Sequence, residues 1–333
     1  MNDQLATYIR AFLQDYLAVQ KGYSRHTVLS YRDTIKLLLR FAAEQKNVPV
    51  TKLTFANLDP GLVIAFLGHI QKVRNNAAST RNIRLAGIRS LFTFIAEREP
   101  TLFEHCQRIL QVPFKRTAST PVEYFERQEM AAILKAAAND QHDAGRDHAL
   151  FLFMYNTGAR VQEVVDLRVE ALQLERPYQA RIVGKGNKAR ICPLWPDTVK
   201  LLRGLLSKRG IEGTPTASVF ANHRGEHLTR YGVRYLLAKY VRVASESCPS
   251  LKGERRIHPH CIRHTMAMHM LQAGADINTV RACLGHVRLE TTNRYAEVNL
   301  DMKREVLERY TPVGSTARLW KGHEKLIAWL ESL

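Results

Sequence analysis

Nowhere does the chain hold an apolar run long enough to span a bilayer, and its first segment, MNDQLATYIRAFLQDYLAVQ, mixes polar and charged side chains into its apolar pattern. A membrane span and a secretory signal peptide are therefore not expected. Cysteine is scarce: Cys106, Cys192, Cys248, Cys261 and Cys283 are odd in number, widely spaced and form no C-x-x-C pair. That argues against a disulfide framework and for reduced thiols in a cytosolic protein. No G-x-x-x-x-G-K-[ST] occurs, which removes the P-loop. Acidic residues are in short supply as well, 31 against 49 Lys plus Arg, for a formal charge of +18 and a pI near 9.9. Such a surface attracts polyanions, and nucleic acid is the default partner because neutralised phosphates release counterions. An anionic membrane competes only through a basic amphipathic helix or a lipid anchor, and neither is evident.

With 333 residues and 45% apolar content, the chain can build two compact domains. The first hundred residues read as helices. From Ser24, an N-cap residue, Val28, Tyr31, Ile35, Leu38, Leu39 and Ala42 recur at helical spacing and leave Arg25, Arg32, Lys36 and Arg40 on the polar side. Further helices are expected over 4–20, 59–73 and 78–97, together a small bundle. On the last of these Arg81 and Arg84, three apart, share a face that either meets phosphates or is simply solvated. Pro100, Pro113 and Pro121 amid PFKRTASTP mark residues 99–122 as a linker.

Beyond it, helices are expected near 127–138, 144–156, 196–208, 229–245, 260–273 and 277–284. Two strand-like runs, Ala180–Val183 and Ala189–Cys192, flank Gly184-Lys185-Gly186-Asn187-Lys188 and predict a β-hairpin. The fold class is therefore mainly α with a small antiparallel β-sheet. The expected domains are a helical unit over 1–98, the linker 99–122, a mixed unit over 123–312 and a C-terminal helix over 313–333. In that last helix Leu319, Trp320, Leu326, Ile327, Leu330 and Leu333 form a bulky stripe. It packs either on its own domain or on a neighbouring protomer.

Four places carry chemistry: Thr157-Gly158-Ala159-Arg160, Gly184-Lys185-Gly186, His258-Pro259-His260-Cys261-Ile262-Arg263-His264, and Leu284-Gly285-His286 followed by Tyr295. Each has an ordinary alternative. Arg160 suits a helix cap, Lys185 an exposed hairpin lysine and Tyr295 a half-buried tyrosine. His260 and His264, one helical turn apart, have the spacing of a zinc pair, but Cys261 stands where H-E-x-x-H has glutamate and Arg263 sets a fixed positive charge on the same side. Metal is therefore not expected. Phosphate binding fits better: His260 and Arg263 project from one face, Pro259 suits a first helical turn, and Gly285 is placed to stop the next helix, begun at Asp276, so that His286 emerges just past its end.

In this order Arg160, Lys185, His260, Arg263, His286 and Tyr295 resemble the active-site signature of the tyrosine recombinase (phage integrase) family. T-G-x-R, G-K-G-N-K, H-x-x-R-H and L-G-H-x8-Y all occur in the family's sequence, and the likeness runs from the N-terminal helices to Tyr295. Ala159 departs from the larger apolar residue more usual in T-G-x-R. Glu163 matches an acidic position for which the family implies a supporting role, with Asp166 a weaker claimant, and His264 matches a position given to packing.

The resemblance implies a SAM-like core-binding domain before the catalytic domain, and a site-specific recombinase or integrase that breaks and rejoins DNA through a 3′-phosphotyrosyl link on Tyr295. It implies no metal and no cofactor. Arg160, Arg263 and His286 are expected on the phosphate, His260 as base or donor, and Lys185 as acid. Expected partners are double-stranded recombination sites, a synaptic tetramer and partner recombinases, with no membrane, in a cytoplasmic, nucleoid-associated protein of a mobile element or the chromosome. Two other activities share these features: type IB topoisomerase-like relaxation, and DNA-binding regulation by an inactive catalytic fold.

Overall fold

The computed structural model describes residues 4–117, 122–140, 144–184, 188–253, 255 and 257–285. The chain forms two compact units, Met1–Ser119 and Thr120–Leu333. All five cysteines are unbridged.

The described residues of the first unit form helices and the loops between them. Helix α1 (Gln4–Ala11) runs on as a π-helical stretch, Phe12–Gln20, and α2 (Arg25–Lys46) starts where Ser24 Oγ accepts the Thr27 N–H at 3.4 Å. Helix α3 (Pro60–Lys72) begins with Asp59 accepting the Leu62 N–H at 2.8 Å and proline in its first turn, where no amide hydrogen is needed. Helix α4 (Ala78–Ala96) crosses α2 closely at Gly87, where a Cβ would stand 3.4 Å from Thr34 Cγ2. Phe12, Leu38, Phe66, Leu85, Ile88 and Phe92 form the centre of this bundle.

The expected linker over 99–122 needs correction. Its first half folds: Pro100 opens a single 3₁₀ turn, and α5 (Phe103–Leu110) follows, burying Cys106 and Ile109, with Val112 just beyond, in the core of the same unit. Proline breaks a helix in its interior, but at a helix start its fixed φ and missing N–H cost nothing. The apolar residues at three-residue spacing, Cys106, Ile109 and Val112, outweigh it.

The second unit holds α6 (Arg127–Ala138), α7 (Ala144–Thr157), the one-turn α8 (Val161–Val165), α9 (Pro196–Arg209), α10 (Arg230–Ser247), α11 (Pro259–Gln272) and α12 (Ile277–Leu284). Strands β1 (Leu172–Gln173), β2 (Gln179–Val183) and β3 (Ala189–Pro193) form one antiparallel sheet in that order, with Ile182 opposite Arg190 and Val183 opposite Ala189. Alternation turns Ala180 and Ile182 of β2 and Cys192 of β3 toward the core. Helix α11 is nearly all buried, from Cys261 and Ile262 through Met266, Ala267 and Met268 to Leu271. Each large apolar side chain so buried contributes about 1.5–3 kcal/mol, so α11 is a rigid platform for the polar residues at its start.

Candidate active site

The T-G-x-R segment is a tight turn between two helices. Thr157 closes α7 by donating its hydroxyl to the Phe153 carbonyl at 2.7 Å, and Gly158 turns the chain with φ +57°. A Cβ on Gly158 would lie 2.7 Å from Leu284 Cδ2, so the position needs glycine for both its conformation and its space. Ala159 is buried, and its small side chain fits this crowded turn. Arg160 then caps α8: its N–H donates to Glu163 Oε2 and its Nη1 to Glu163 Oε1, both at 2.9 Å.

Helix α11 presents the second arginine. Pro259 occupies the first turn as expected, and His258 Nδ1 lies 3.6 Å from Cys261 Sγ at the helix head. Arg263 is 3% exposed, and its guanidinium donates to two carbonyls, Nη1 to Gly158 at 2.5 Å and Nη2 to Leu284 at 2.6 Å. Both acceptors are neutral, so these bonds fix the plane of the guanidinium without cancelling its charge. They also tie the turn that bears Arg160 to the end of α12.

His260 is exposed, one turn before Arg263 and His264. The protein mass behind the ring disfavours its charged form, and His258, Arg263 and Arg160 add repulsion that Glu163 only partly offsets. The outcome is a pKa below the ordinary histidine value. Its ring is 6.0 Å from that of His258 and 6.5 Å from that of His264. A neutral imidazole beside two guanidiniums can accept a proton at neutral pH.

Helix α12 starts and stops as its sequence predicts. Asp276 accepts the Asn278 and Thr279 N–H groups, and Gly285 ends the helix in the left-handed region at φ +64°. The structure thus brings together Arg160, Glu163, His260, Arg263, Gly184 at the hairpin root and Gly285. Lys185, His286 and Tyr295 lie outside the described residues, as does the C-terminal stripe from Leu319 to Leu333.

Sequence reading missed Arg190. Its side chain is 10% exposed on β3, and its Nη2 donates to Glu163 Oε2 at 2.7 Å. Burial alone pushes the Glu163 carboxyl up, but hydrogen bonds and charge from Arg190 and Arg160 outweigh that and hold it below the usual carboxylate range. Asp166, by contrast, is exposed and bonds to Gln162.

In the first unit Arg25, Arg32 and Lys36 are exposed on α2, as an electrostatic footprint requires. Arg81 is not: it is 6% exposed, and its Nη1 donates to the Pro113 carbonyl at 2.9 Å. Desolvation lowers its pKa. Its expected place on a phosphate-facing surface is thereby corrected: Arg81 anchors the segment after α5 to α4. Arg84 is half-buried and donates to Thr34 Oγ1 at 2.9 Å and to the Ser30 carbonyl. A further cationic surface went unread. On α10, Arg230, Tyr231, Arg234 and Tyr235 are all exposed, with Tyr231 at 77% and Tyr235 at 71%. The repeated Arg-Tyr pair at a spacing of four was its visible signal.

Buried guanidiniums, a histidine whose charged form is disfavoured and basic exposed helices suit a protein that handles the phosphate backbone of nucleic acid. Two family models match the chain: the phage integrase family over residues 123–302 and the phage integrase N-terminal SAM-like domain over residues 9–99. A Sinorhizobium fredii protein bearing the name integrase/recombinase y4rC is 36% identical over 331 residues, covering 99% of this chain and 98% of its own. The tyrosine recombinase XerC of Staphylococcus carnosus is 30% identical across 87% of this chain and 92% of its own. Among solved structures, the XerH site-specific recombinase bound to palindromic difH shares the fold at TM-score 0.69 and 19% identity, covering 86% of this chain and 81% of that one. The chain belongs to the phage integrase family and is a site-specific DNA recombinase, an enzyme of DNA strand cleavage and rejoining.

Proposed function

We propose that Tyr295 attacks a backbone phosphate within a recombination site, held by Arg160, Arg263 and His286, with proton transfer by His260 and Lys185. The observation that carries this is the Arg263 guanidinium bridging the Gly158 and Leu284 carbonyls. Residues far apart in sequence, the Arg160 turn and the helix end that leads into His286, are thereby joined at one buried cation.

A tyrosine hydroxyl, with a pKa about 10, is a poor nucleophile until cations or a base favour its oxygen. In the proposed step the Tyr295 oxygen forms a bond to phosphorus, the bond from phosphorus to the 5′-oxygen breaks, and the phosphate stays on the 3′ side. The phenolic proton passes to neutral His260, and Lys185 supplies a proton to the departing 5′-oxygen. Arg160 and Arg263 stabilise the non-bridging oxygens as charge concentrates on them. One phosphoester replaces another, so bond energy is kept and a 5′-hydroxyl from a second duplex can reverse the step. This chemistry calls for neither metal nor nucleotide.

The partners follow. Double-stranded DNA meets the exposed α2 cations Arg25, Arg32 and Lys36 and the Arg-Tyr face of α10. Paired sites require a tetramer of protomers, for which the C-terminal stripe is the candidate contact, and a partner recombinase can fill two of the positions. The catalytic unit is taken as 123–312, the linker as what remains of 99–122 after α5, and 313–333 as the assembly helix. Among the described residues no helix is long and apolar enough to cross a membrane; a DNA substrate supports our reading of a cytoplasmic, nucleoid-associated protein.

A supercoiled plasmid with no recombination site separates this reading from topoisomerase-like relaxation. We expect negligible relaxation of that plasmid and strand exchange on a plasmid with two sites; efficient relaxation of the first would contradict the proposal. The intact six-residue set favours an active enzyme over a silent regulator.

A further inference from the structure

Arg190 projects from β3 on the same inward face as Cys192, yet it is a charged residue among apolar ones. Among the described residues its carboxylate partner is Glu163, whose Oε2 accepts from both Arg190 Nη2 and the Arg160 N–H and whose Oε1 accepts from Arg160 Nη1. Glu163 is itself 5% exposed at the side chain and Arg160 33%, so a cation, an anion and a second cation form a continuous chain whose Glu163–Arg190 end is shielded from water and whose Arg160 end is open to it. Desolvating such a triad offsets most of its Coulombic gain, and apolar residues of similar volume would commonly serve stability as well or better. Arg190 Nε adds to the cost, because it is buried with no hydrogen-bond partner among the described residues. Stability therefore does not account for the triad.

Its geometry does. Both glycines that border the triad leave it room: a Cβ on Gly285 would lie 3.1 Å from Arg190 Cδ, and one on Gly184 would lie 3.0 Å from Glu163 Oε1 and 3.7 Å from Arg190 Nη1. Gly285 directly precedes His286, and Gly184 directly precedes Lys185. A single ion chain thus reaches Arg160, the root of the hairpin and the end of α12.

We propose that Arg190 is a positioning residue for DNA cleavage: through Glu163 and by packing against Gly285, it holds Arg160 and the segments leading to Lys185 and His286 in register around one phosphate. The inference rests on the cleavage reading above. Arg190 touches no DNA in this role; it acts through Glu163.

The test uses the full chain and a nicked suicide duplex that carries a recombination site, identified beforehand by sequencing the DNA end joined to the wild-type chain. Single-turnover cleavage is followed at saturating protein for wild type, Arg190→Met, Arg190→Lys, Glu163→Gln and the Arg190→Met/Glu163→Gln double variant. Binding is measured separately in a Tyr295→Phe background. Arg190→Met should slow cleavage about 10- to 100-fold, as expected when a reacting group is misplaced by a fraction of an ångström, while the Kd for the duplex changes by less than about threefold. Arg190→Lys should recover part of the rate. Because the two side chains act as a unit, the double variant should be no slower than the slower single variant by more than about threefold.

Cleavage by Arg190→Met at the wild-type rate would overturn the proposal, and so would losses that multiply in the double variant. If Arg190→Met fails to fold, Arg190→Lys and Glu163→Gln decide alone: both should be slowed with binding kept, and a wild-type rate in either overturns the assignment. A wild-type chain that forms no covalent complex overturns the cleavage reading itself, an outcome distinct from unequal behaviour among the variants.

Discussion

Replacing Arg263 by lysine tests the site at its centre. The guanidinium spans two carbonyls, at 2.5 Å to Gly158 and 2.6 Å to Leu284, while 3% exposed. An ammonium is a point donor on a flexible stem and cannot reproduce the fork, so at least one of these carbonyls loses its bond. A buried acceptor left unsatisfied costs about 1–3 kcal/mol. For a unit of this size each kcal/mol moves Tm by about 2–4 °C. The chemical step should suffer more, because the planar fork is also lost from the phosphate: removing one preorganised donor typically costs about 2.7–4 kcal/mol, or 10²–10³ in rate. Arg263→Lys is therefore expected to melt a few degrees lower and to form the covalent complex about 100- to 1000-fold more slowly, with DNA binding largely kept. The assay pairs a thermal melt with single-turnover cleavage of a suicide duplex. A variant that cleaves at the wild-type rate would refute the reasoning, whatever its melting temperature.

Three further outcomes are expected. Gly158→Ala puts a side chain at φ +57° and 2.7 Å from Leu284 Cδ2, which costs about 1–2 kcal/mol for the backbone alone; it should lower Tm and slow cleavage together, and a silent substitution would show that the turn is not coupled to the end of α12. His260 has a pKa held below the ordinary 6.5, so the neutral form is the folded protein's form at pH 7. The acid limb of cleavage should have its midpoint below about 6.5, and His260→Ala should remove that limb; a midpoint above 6.5 in the wild type would contradict the assignment of His260 as base. Finally, Arg234→Ala with Tyr235→Ala on α10 should weaken duplex binding and reduce the salt slope by about one per phosphate contact removed, whereas unchanged affinity and slope would take that face out of the DNA interface.

Much of this architecture was legible in the residues. The strongly periodic helices, the hairpin between Val183 and Ala189, Pro259 in a first turn and Gly285 as a stop all occur where local chemistry predicts them. Local chemistry also explains what escaped. Helix α5 was hidden by its prolines, and only the three-residue spacing of Cys106, Ile109 and Val112 argued for it. Strand β1 has two residues and α8 five, too short for periodicity to register. Arg81 looked like any helical arginine until packing buried it beside the Pro113 carbonyl. Arg190 was invisible for the same reason: its meaning lies in Glu163, 27 positions away, and in the close approach of Gly285. The motif order names candidate reacting groups, but the ion chain through Arg160, Glu163 and Arg190 exists only in three dimensions.

The central claim concerns Tyr295, and the most direct measurement is to trap the protein on a nicked duplex, digest the adduct and identify both the modified residue and the attached DNA end. The account predicts a single adduct, a DNA 3′-phosphate esterified to the Tyr295 oxygen with a free 5′-hydroxyl on the released strand, abolished by Tyr295→Phe. An adduct on another residue, a 5′-phosphate linkage, or an adduct that persists in the phenylalanine variant would contradict it.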